Sequence, residues 1–304
     1  MSVPPVTAVV PTRDRPELVR RALRAILGQR YDGDIECLVV FDRSDPKAIE
    51  VTTGPGRRVH VVSNDHRPGL AGARNAGAER AGGELLAFCD DDDEWLPDKL
   101  RLQVEALDRE PGSDVASSGI VVEYRGRSIE RLPPAELVTF RHLLHSRVAE
   151  LHSSTLLVRR SAFLERIGQV DEEIPGSFGE DYEWLLRAAR LAPIVAVPRP
   201  LVRVHWGTAS YFEGRWRMMA EGLTYLLQRY PEFETDPRGL ARVSGQIAFA
   251  LAGAGDRALA RSWARRTLRA DWRERRAYLA FLVSLGLLRP ETILRLAHSV
   301  GKGI

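Results

Sequence analysis

Cysteine is nearly absent from this 304-residue sequence, which contains only Cys37 and Cys89. Each lies inside an apolar stretch, and the pair has neither the spacing of zinc ligands nor a disulfide framework around it. These features argue against a disulfide-stabilised scaffold and a cysteine-based zinc site. We expect both residues to be buried free thiols. This suits the reducing cytosol, so a cytoplasmic protein is expected.

Long apolar runs are absent as well. The longest, Ala277–Leu288, has twelve residues and is interrupted by Ser284 and Gly286, whereas a helix that spans a bilayer needs about 20. Met1–Pro5 shows no basic segment followed by an apolar run, so no signal peptide is expected. With 44% hydrophobic and 28% charged residues, the composition is that of a globular protein with one large core or two domains.

Lysine is also scarce, and arginine carries almost all of the positive charge. Lys47, Lys99 and Lys302 are the only lysines. Residues 1–210 contain 28 basic against 32 acidic residues, whereas residues 211–304 contain 16 against 9. A basic C-terminal third is compatible with a membrane surface, a lipid phosphate or a nucleic acid. The favoured interpretation is simply an arginine-rich surface.

The first 120 residues alternate apolar strand patterns with helix patterns. Strands are predicted at 6–10, 35–41, 59–62 and 84–89, and helices at 16–29, 70–81 and from residue 97 onward. Apolar strands separated by helices indicate an α/β fold with a parallel sheet covered on both faces. Right-handed crossovers place the carboxyl ends of the strands at one edge, where such sheets bind ligands. Residues 113–210 show mixed patterns, and residues 211–304 are predicted to form a helical region.

The strongest chemical feature is the run Asp90–Asp93, which directly follows an apolar strand. Adjacent carboxylates repel one another unless positive charge lies among them. Hard oxygen ligands suit Mg²⁺ or Mn²⁺, which proteins usually hold with one or two carboxylates plus substrate phosphates. The run therefore predicts a site for a metal-bound nucleotide diphosphate. The alternative is a solvated acidic loop that caps the helix after Pro97.

A second acidic pair, Glu180-Asp181, opens a helix with an apolar face. A carboxylate near a metal-bound diphosphate can act as a general base toward an acceptor hydroxyl. Carboxylates at a helix N-terminus are also ordinary capping groups that the helix dipole stabilises. The residues alone leave both interpretations open.

Five segments in this order resemble family 2 glycosyltransferases, which have the GT-A fold. They are Pro11–Pro16 with the helix that follows, Leu38–Ser44, Gly69 with Ala73–Gly77, the Asp-x-Asp segment Phe88–Leu100, and the Glu-Asp segment Gly179–Trp184. The resemblance covers about residues 4–210. It implies a GT-A type, Rossmann-like sheet in an inverting, metal-assisted, nucleotide-sugar-dependent enzyme. In that enzyme residues 1–112 form the nucleotide-binding half and residues 113–210 the acceptor-binding half.

The resemblance also implies roles for individual residues. Those that would hold the nucleoside, most often uridine in this family, are Pro11, Thr12, Arg13 and Asp42. Arg74 would lie beside the base or phosphates, Asp90 would contact the ribose or sugar, and Asp91 would also belong to the nucleotide-sugar site. Asp92 would ligate Mn²⁺ or Mg²⁺. Asp181 would be the general base, and Glu180 would orient the acceptor or sugar.

Two positions leave alternatives open. Phe41 stands where the family commonly has the first of two acidic residues, so dTDP and GDP donors remain open beside UDP. His205 follows a late strand, where some family members place a further metal or diphosphate contact. A lone histidine is, however, more often a packed or surface residue.

The expected partners are a nucleotide-sugar donor, with UDP favoured, and a saccharide, lipid-linked or other hydroxyl acceptor. A nucleotidyltransferase is the first alternative, but that class usually has a glycine-rich loop after the first strand, and Pro11–Pro16 lacks glycine. The second is a helical interaction or nucleic-acid-binding module. No recognised motif or stacking pattern supports it, so no nucleic-acid partner is expected.

The C-terminal arginines suggest one more partner. Seven arginines between Arg261 and Arg276 precede the apolar stretch Ala277–Leu288. A basic segment followed by an apolar one is compatible with peripheral docking at the inner face of a membrane. Packing of the apolar stretch within a helical bundle is the favoured interpretation.

Overall fold

A computed structural model describes residues 3–206 and 214–293 of the chain. The outer parts of the predicted helical region, residues 211–213 and 294–304 with Lys302, lie outside the described residues, as do Met1 and Ser2. The strands are β1 (Val6–Thr12), β2 (Ile35–Phe41), β3 (Arg57–Ser63), β4 (Leu85–Phe88), β5 (Glu94–Trp95), β6 (Val115–Tyr124), β7 (Arg127–Arg131), β8 (Leu137–Val138), β9 (Leu157–Arg159) and β10 (Ile194–His205). The α-helices are α1 (Pro16–Leu27), α2 (Leu70–Arg80), α3 (Lys99–Arg109), α4 (Phe140–His145), α5 (Glu180–Leu191), α6 (Trp216–Arg229), α7 (Pro237–Gly253), α8 (Arg257–Ala270) and α9 (Arg275–Ser284).

The contacts divide the chain into two compact units. The first contains the sheet and most residues up to 206, and the second contains α6 to α9 together with the short segments 144–147 and 173–179. The assignment of residues 1–112 and 113–210 to nucleotide and acceptor halves stays a prediction.

The first unit is built on one sheet with the strand order β3-β2-β1-β4-β9-β6-β10-β5, to which β7 adds beside β6 and β8 beside β10. The neighbours β3, β2, β1 and β4 are parallel, and so are β6 and β10. The short strands β5, β8 and β9 pair antiparallel to their neighbours. The predicted α/β fold with a mostly parallel sheet is thus confirmed, and so is the helical C-terminal region.

Small residues let α2 lie directly on the sheet. A Cβ atom at Gly77 would come within 2.4 Å of Val9 Cγ1 on β1, so glycine is required for this close approach. The same packing buries Arg74, one turn earlier on α2, to 3% exposure. A buried guanidinium must find anionic partners, and those of Arg74 lie just after β4 and at the start of α5.

The second unit is helical, and aspartate N-caps begin two of its helices. The Asp236 and Asp256 carboxylates accept hydrogen bonds from backbone N–H groups in the first turns of α7 and α8, as N-cap residues do. Ala277 and Ala280 of α9 are fully buried. In the part of the chain that the structure describes, no helix is long and apolar enough to cross a membrane.

Candidate active site

The run Asp90–Asp93 forms a tight loop just after β4. The Thr12 hydroxyl, at the end of β1, donates a hydrogen bond of 2.7 Å to Asp91. Arg15 Nη1 lies 3.2 Å from the Asp91 carboxylate and 3.4 Å from that of Asp92. The acidic run therefore lies at the carboxyl edge of the sheet, as predicted, and basic and hydroxyl groups from the β1–α1 connection hold it there.

Arg74 links the two acidic motifs. Its Nη2 atom lies 2.8 Å from Asp90 Oδ1, and its Nη1 atom lies 2.6 Å from Glu180 Oε1 in the first turn of α5. Both Arg74 and Glu180 are buried, so this is a charge-assisted pair with little access to water. Arg74, Ser153 and Asp181 also line one small pocket. Residues some 90 positions apart in the sequence thus share one site.

A second histidine, His152, completes a candidate metal centre. Asp90, Asp93 and His152 each offer a ligand atom, and these atoms all lie within 4.8 Å of one another, a grouping that no other such residues make in 3–206 and 214–293. Ser153 donates a 2.9 Å hydrogen bond to Asp90, and the Ser154 hydroxyl donates to Asp93. No sequence pattern marks His152 as a ligand, because 58 residues or more separate it from the acidic run and only the fold brings them together.

The electrostatics of the loop fit a cation. Burial raises the pKa of Asp91 to about 6 and that of Asp93 to about 7. Burial and the charge of Asp90 also raise the pKa of Asp92. Burial opposes ionisation of Asp90 as well, but Arg74 and His152 lower its pKa overall. A divalent ion would stabilise the ionised form of these neighbouring carboxylates, and oxygen donors suit Mg²⁺ or Mn²⁺.

The predicted nucleoside contacts lie beside the acidic loop. Asp42 follows β2, and its backbone N–H donates to the Thr12 carbonyl at 2.9 Å. The Asp42 carboxylate accepts hydrogen bonds from the Asn64 side chain at 2.8 Å and from the Gly69 N–H at 3.0 Å. Pro11 is buried at the end of β1, whereas Arg13 is exposed. Asp42 therefore also shapes the loop that leads into α2.

His205 meets the acidic loop through an intermediate residue. Its Nε2 atom lies 2.6 Å from Glu94 Oε1, next to the aspartates. Arg21 bridges the same region, since its guanidinium lies 3.5 Å from Glu94 and donates to the Asp92 carbonyl at 2.8 Å. The assignment of Asp92 and His205 as metal ligands stays a prediction, beside the group formed by Asp90, Asp93 and His152.

A buried lysine lies near the loop. Lys99 is fully buried, and its Nζ lies 4.1 Å from the centroid of the Trp95 ring. Within the described residues its ammonium has no hydrogen-bond partner. Burial lowers the pKa of Lys99 to about 7, while the Cys89 thiol group acts in the opposite direction. The neutral amine is therefore the favoured form above neutral pH.

We expect Lys99→Met to stabilise the protein. The unfolded lysine stays protonated up to about pH 10.5, so between about pH 7 and 10.5 the unfolded state binds one more proton, and the free energy of unfolding rises with pH. Methionine should remove that rise and increase the free energy of unfolding at pH 7 by roughly 2–4 kcal/mol. Urea unfolding between pH 7 and 10 measures both effects. The exposed Lys47→Met is the control, and equal pH slopes in the wild type and Lys99→Met would contradict the expectation.

Comparison with protein families identifies the family of the chain. The model described as glycosyl transferase family 2 matches residues 7–166, which is more than half of the chain. The chain belongs to glycosyl transferase family 2. The matched range contains β1, α2, the acidic loop and His152, whereas the Glu-Asp pair on α5 follows it.

Curated relatives of this family 2 chain include bacterial polysaccharide enzymes. The chain is 36% identical to the succinoglycan biosynthesis protein ExoO of Rhizobium meliloti over 137 residues. This alignment covers 44% of this chain and 39% of the relative. The chain is 30% identical to the Escherichia coli UDP-Glc:alpha-D-GlcNAc-diphosphoundecaprenol beta-1,3-glucosyltransferase WfgD over 103 residues. This alignment covers 34% of this chain and 40% of the relative. The alignments thus span about 40% of these relatives.

Solved structures support the GT-A fold. Staphylococcus aureus TarS in complex with UDP-GlcNAc superposes with a TM-score of 0.56 at 16% identity, covering 98% of this chain and 92% of that one. Mannosyltransferase PcManGT from Pyrobaculum calidifontis, in complex with GDP-Man and Mn²⁺, gives a TM-score of 0.57 at 20% identity, covering 96% and 83%. At these identities the likeness shows the fold.

Proposed function

We propose that the protein is an inverting glycosyltransferase that moves a sugar from a nucleotide diphosphate to an acceptor hydroxyl. The observation that carries this proposal is the buried Arg74 bridge between Asp90 and Glu180. It joins the acidic loop, which suits a diphosphate and its cation, to the start of α5, which carries Asp181. The bridge therefore brings groups that can stabilise the leaving group close to a candidate base.

A divalent cation fits the acidic loop. The candidates that would hold it are Asp92, as the family resemblance implies, and the group of Asp90, Asp93 and His152. A bound Mg²⁺ or Mn²⁺ would supply positive charge against the diphosphate. The Mn²⁺ in the mannosyltransferase structure supports manganese as one candidate.

The residues of the chain would supply the remaining chemistry. Asp181 takes the proton from the acceptor hydroxyl while the hydroxyl oxygen attacks the anomeric carbon of the donor sugar. The bond from that carbon to the diphosphate breaks on the opposite side. This single displacement inverts the configuration without a covalent intermediate. Arg15 lies beside Asp91 and Asp92, where its guanidinium can stabilise charge on the leaving diphosphate. Glu180, held by Arg74, orients the acceptor or the sugar.

UDP is the donor nucleotide that we favour, with dTDP and GDP as alternatives. The solved relatives in complex with UDP-GlcNAc and GDP-Man support a nucleotide-sugar donor. The name of the Escherichia coli relative supports a lipid-linked saccharide as acceptor, and that of ExoO supports a role in polysaccharide synthesis. We place this reaction in the cytoplasm.

A donor screen tests the proposed function. The purified chain is mixed with UDP-, GDP- and dTDP-sugars, Mn²⁺ and a polyprenyl-diphosphate saccharide, and the product is analysed by NMR. We expect one nucleotide class to give a product whose new glycosidic bond has the anomeric configuration opposite to that of the donor. Retention of configuration would contradict the single displacement. Release of pyrophosphate from a nucleoside triphosphate would favour a nucleotidyltransferase instead.

A further inference from the structure

Exposed apolar side chains concentrate in one part of the second unit. In the described residues, twelve large hydrophobic side chains are exposed, and seven of them lie between Leu259 and Leu288. Trp272 and Leu287 are each 66% exposed, and Leu285 is 58% exposed. Tryptophan at this exposure is unusual for a surface that faces only water. The concentration indicates a surface that binds something apolar.

The exposed residues follow one stripe of α9 and continue past its end. Arg275, Tyr278, Leu282 and Leu285 are exposed and recur at helical spacing, whereas Ala277 and Ala280 on the opposite side are buried. Trp272 precedes the helix, and its carbonyl accepts a 2.8 Å hydrogen bond from the Tyr278 hydroxyl, so these two aromatic residues adjoin. The six residues that we call the apolar surface are Trp272, Tyr278, Leu282, Leu285, Leu287 and Leu288.

The segment that carries this surface is rich in arginine. Residues 257–289 contain nine arginines against only Asp271 and Glu274. Arg273 lies over the Trp272 ring, 5.3 Å from its centroid. Arg275 shares the exposed stripe of α9, and Arg289 directly follows Leu288. In the described chain, the side chains of Arg275 and Arg289 form no ion pair, so their charge is available to a partner.

We propose that the apolar surface docks on an anionic lipid bilayer. Leucines and a tryptophan would enter the boundary between headgroups and acyl chains, and the flanking arginines would contact lipid phosphates. A neutral apolar partner would leave Arg273, Arg275 and Arg289 uncompensated, whereas a nucleic acid would leave the leucines exposed to water. An anionic membrane satisfies both sets of residues. The inference concerns binding alone and does not depend on the proposed reaction.

Vesicle flotation of the full chain tests this proposal. We expect binding to vesicles of phosphatidylcholine mixed with phosphatidylglycerol, weaker binding to phosphatidylcholine alone, and loss of binding as ionic strength rises. Each arginine near an anionic leaflet contributes about five-fold to partitioning. The variant Arg273→Gln/Arg275→Gln/Arg289→Gln should therefore bind on the order of 100-fold more weakly. The variant Trp272→Ala/Leu285→Ser/Leu287→Ser should lose binding to both kinds of vesicle.

A matched control uses exposed apolar residues of the first unit. Ile129→Ser/Leu132→Ser/Leu191→Ser changes the same number of exposed side chains and should bind anionic vesicles like the wild type. Circular dichroism establishes that all variants are folded. Failure of the wild type to bind anionic vesicles would overturn the proposal, and so would unchanged binding by the first two variants. If sedimentation velocity shows a dimer that only the apolar variant disrupts, without vesicle binding, the surface is a protein contact and the proposal is wrong.

Discussion

Replacing Asp181 with asparagine is expected to lower kcat for glycosyl transfer by about 10²- to 10⁴-fold, the range that loss of a general base produces. Asparagine has nearly the same shape but cannot accept the proton of an acceptor hydroxyl at neutral pH. The Tyr182 N–H donates to Asp181 Oδ1 at 2.7 Å, and the asparagine oxygen can accept the same hydrogen bond. The fold and the start of α5 should therefore be retained.

The control separates catalysis from helix capping. Glu17 is also acidic and lies in the first turn of a helix, α1, where it is mostly exposed. Glu17→Gln should leave kcat unchanged, because it removes a first-turn charge without touching the site. Turnover is measured as release of the nucleoside diphosphate, and binding of that nucleotide to Asp181→Asn should match the wild type. Near-full turnover by Asp181→Asn would show that the base is a different residue.

Replacing Arg74 with methionine is expected to lower the free energy of unfolding by about 3–5 kcal/mol at neutral pH. The side chain is buried and joins Asp90 to Glu180, so its loss leaves the buried Glu180 and the partly buried Asp90 without their counter-charge. Burial already raises the pKa of Glu180 to about 7 against the opposing effect of Arg74. Loss of the cation should raise that pKa further, and protonation should then relieve the defect. The stability loss should accordingly be larger at pH 8 than at pH 5.

Two comparisons make this prediction specific. Arg101→Met removes an exposed arginine that pairs with Asp98 and Glu105, and it should change stability by only about 0.5 kcal/mol. Adding Glu180→Gln to Arg74→Met removes one of the uncompensated charges and should restore part of the lost stability. Urea unfolding of the three variants and the wild type measures these differences. The role given to Arg74 is wrong if Arg74→Met and Arg101→Met have the same free energy of unfolding.

The parallel half of the sheet could be predicted from the sequence because its strands are continuous apolar runs. β2 was predicted with its observed bounds, Ile35–Phe41, and its neighbours to within a few residues. Strand β6 was not predicted, although it pairs with β10 in the sheet. Its first half contains Ser117 and Ser118, which are fully buried, and Ser117 shares a 2.7 Å hydrogen bond with Thr155. Buried serines satisfied by a distant partner carry no apolar pattern.

The candidate site, too, could be predicted only in part from the sequence. Its acidic residues could be chosen because each follows a strand or opens a helix, and such positions are visible in a pattern. His152 and the two serines after it could not, since His152 caps, and the serines begin, a short helical turn, Ser153–Thr155, next to the antiparallel strand β9. That strand lies between β4 and β6, a placement that no local spacing encodes.

The central claim is that a divalent cation and a nucleoside diphosphate share the acidic loop while Asp181 acts separately as the base. Titration calorimetry of the nucleotide selected by the donor screen, with Mn²⁺ and with a chelator, tests it most directly. We predict that the wild type and Asp181→Asn bind the nucleotide tightly only with Mn²⁺, and that Asp92→Asn and Asp93→Asn lose most of this dependence. Equal affinity of the wild type in Mn²⁺ and in chelator would contradict the account.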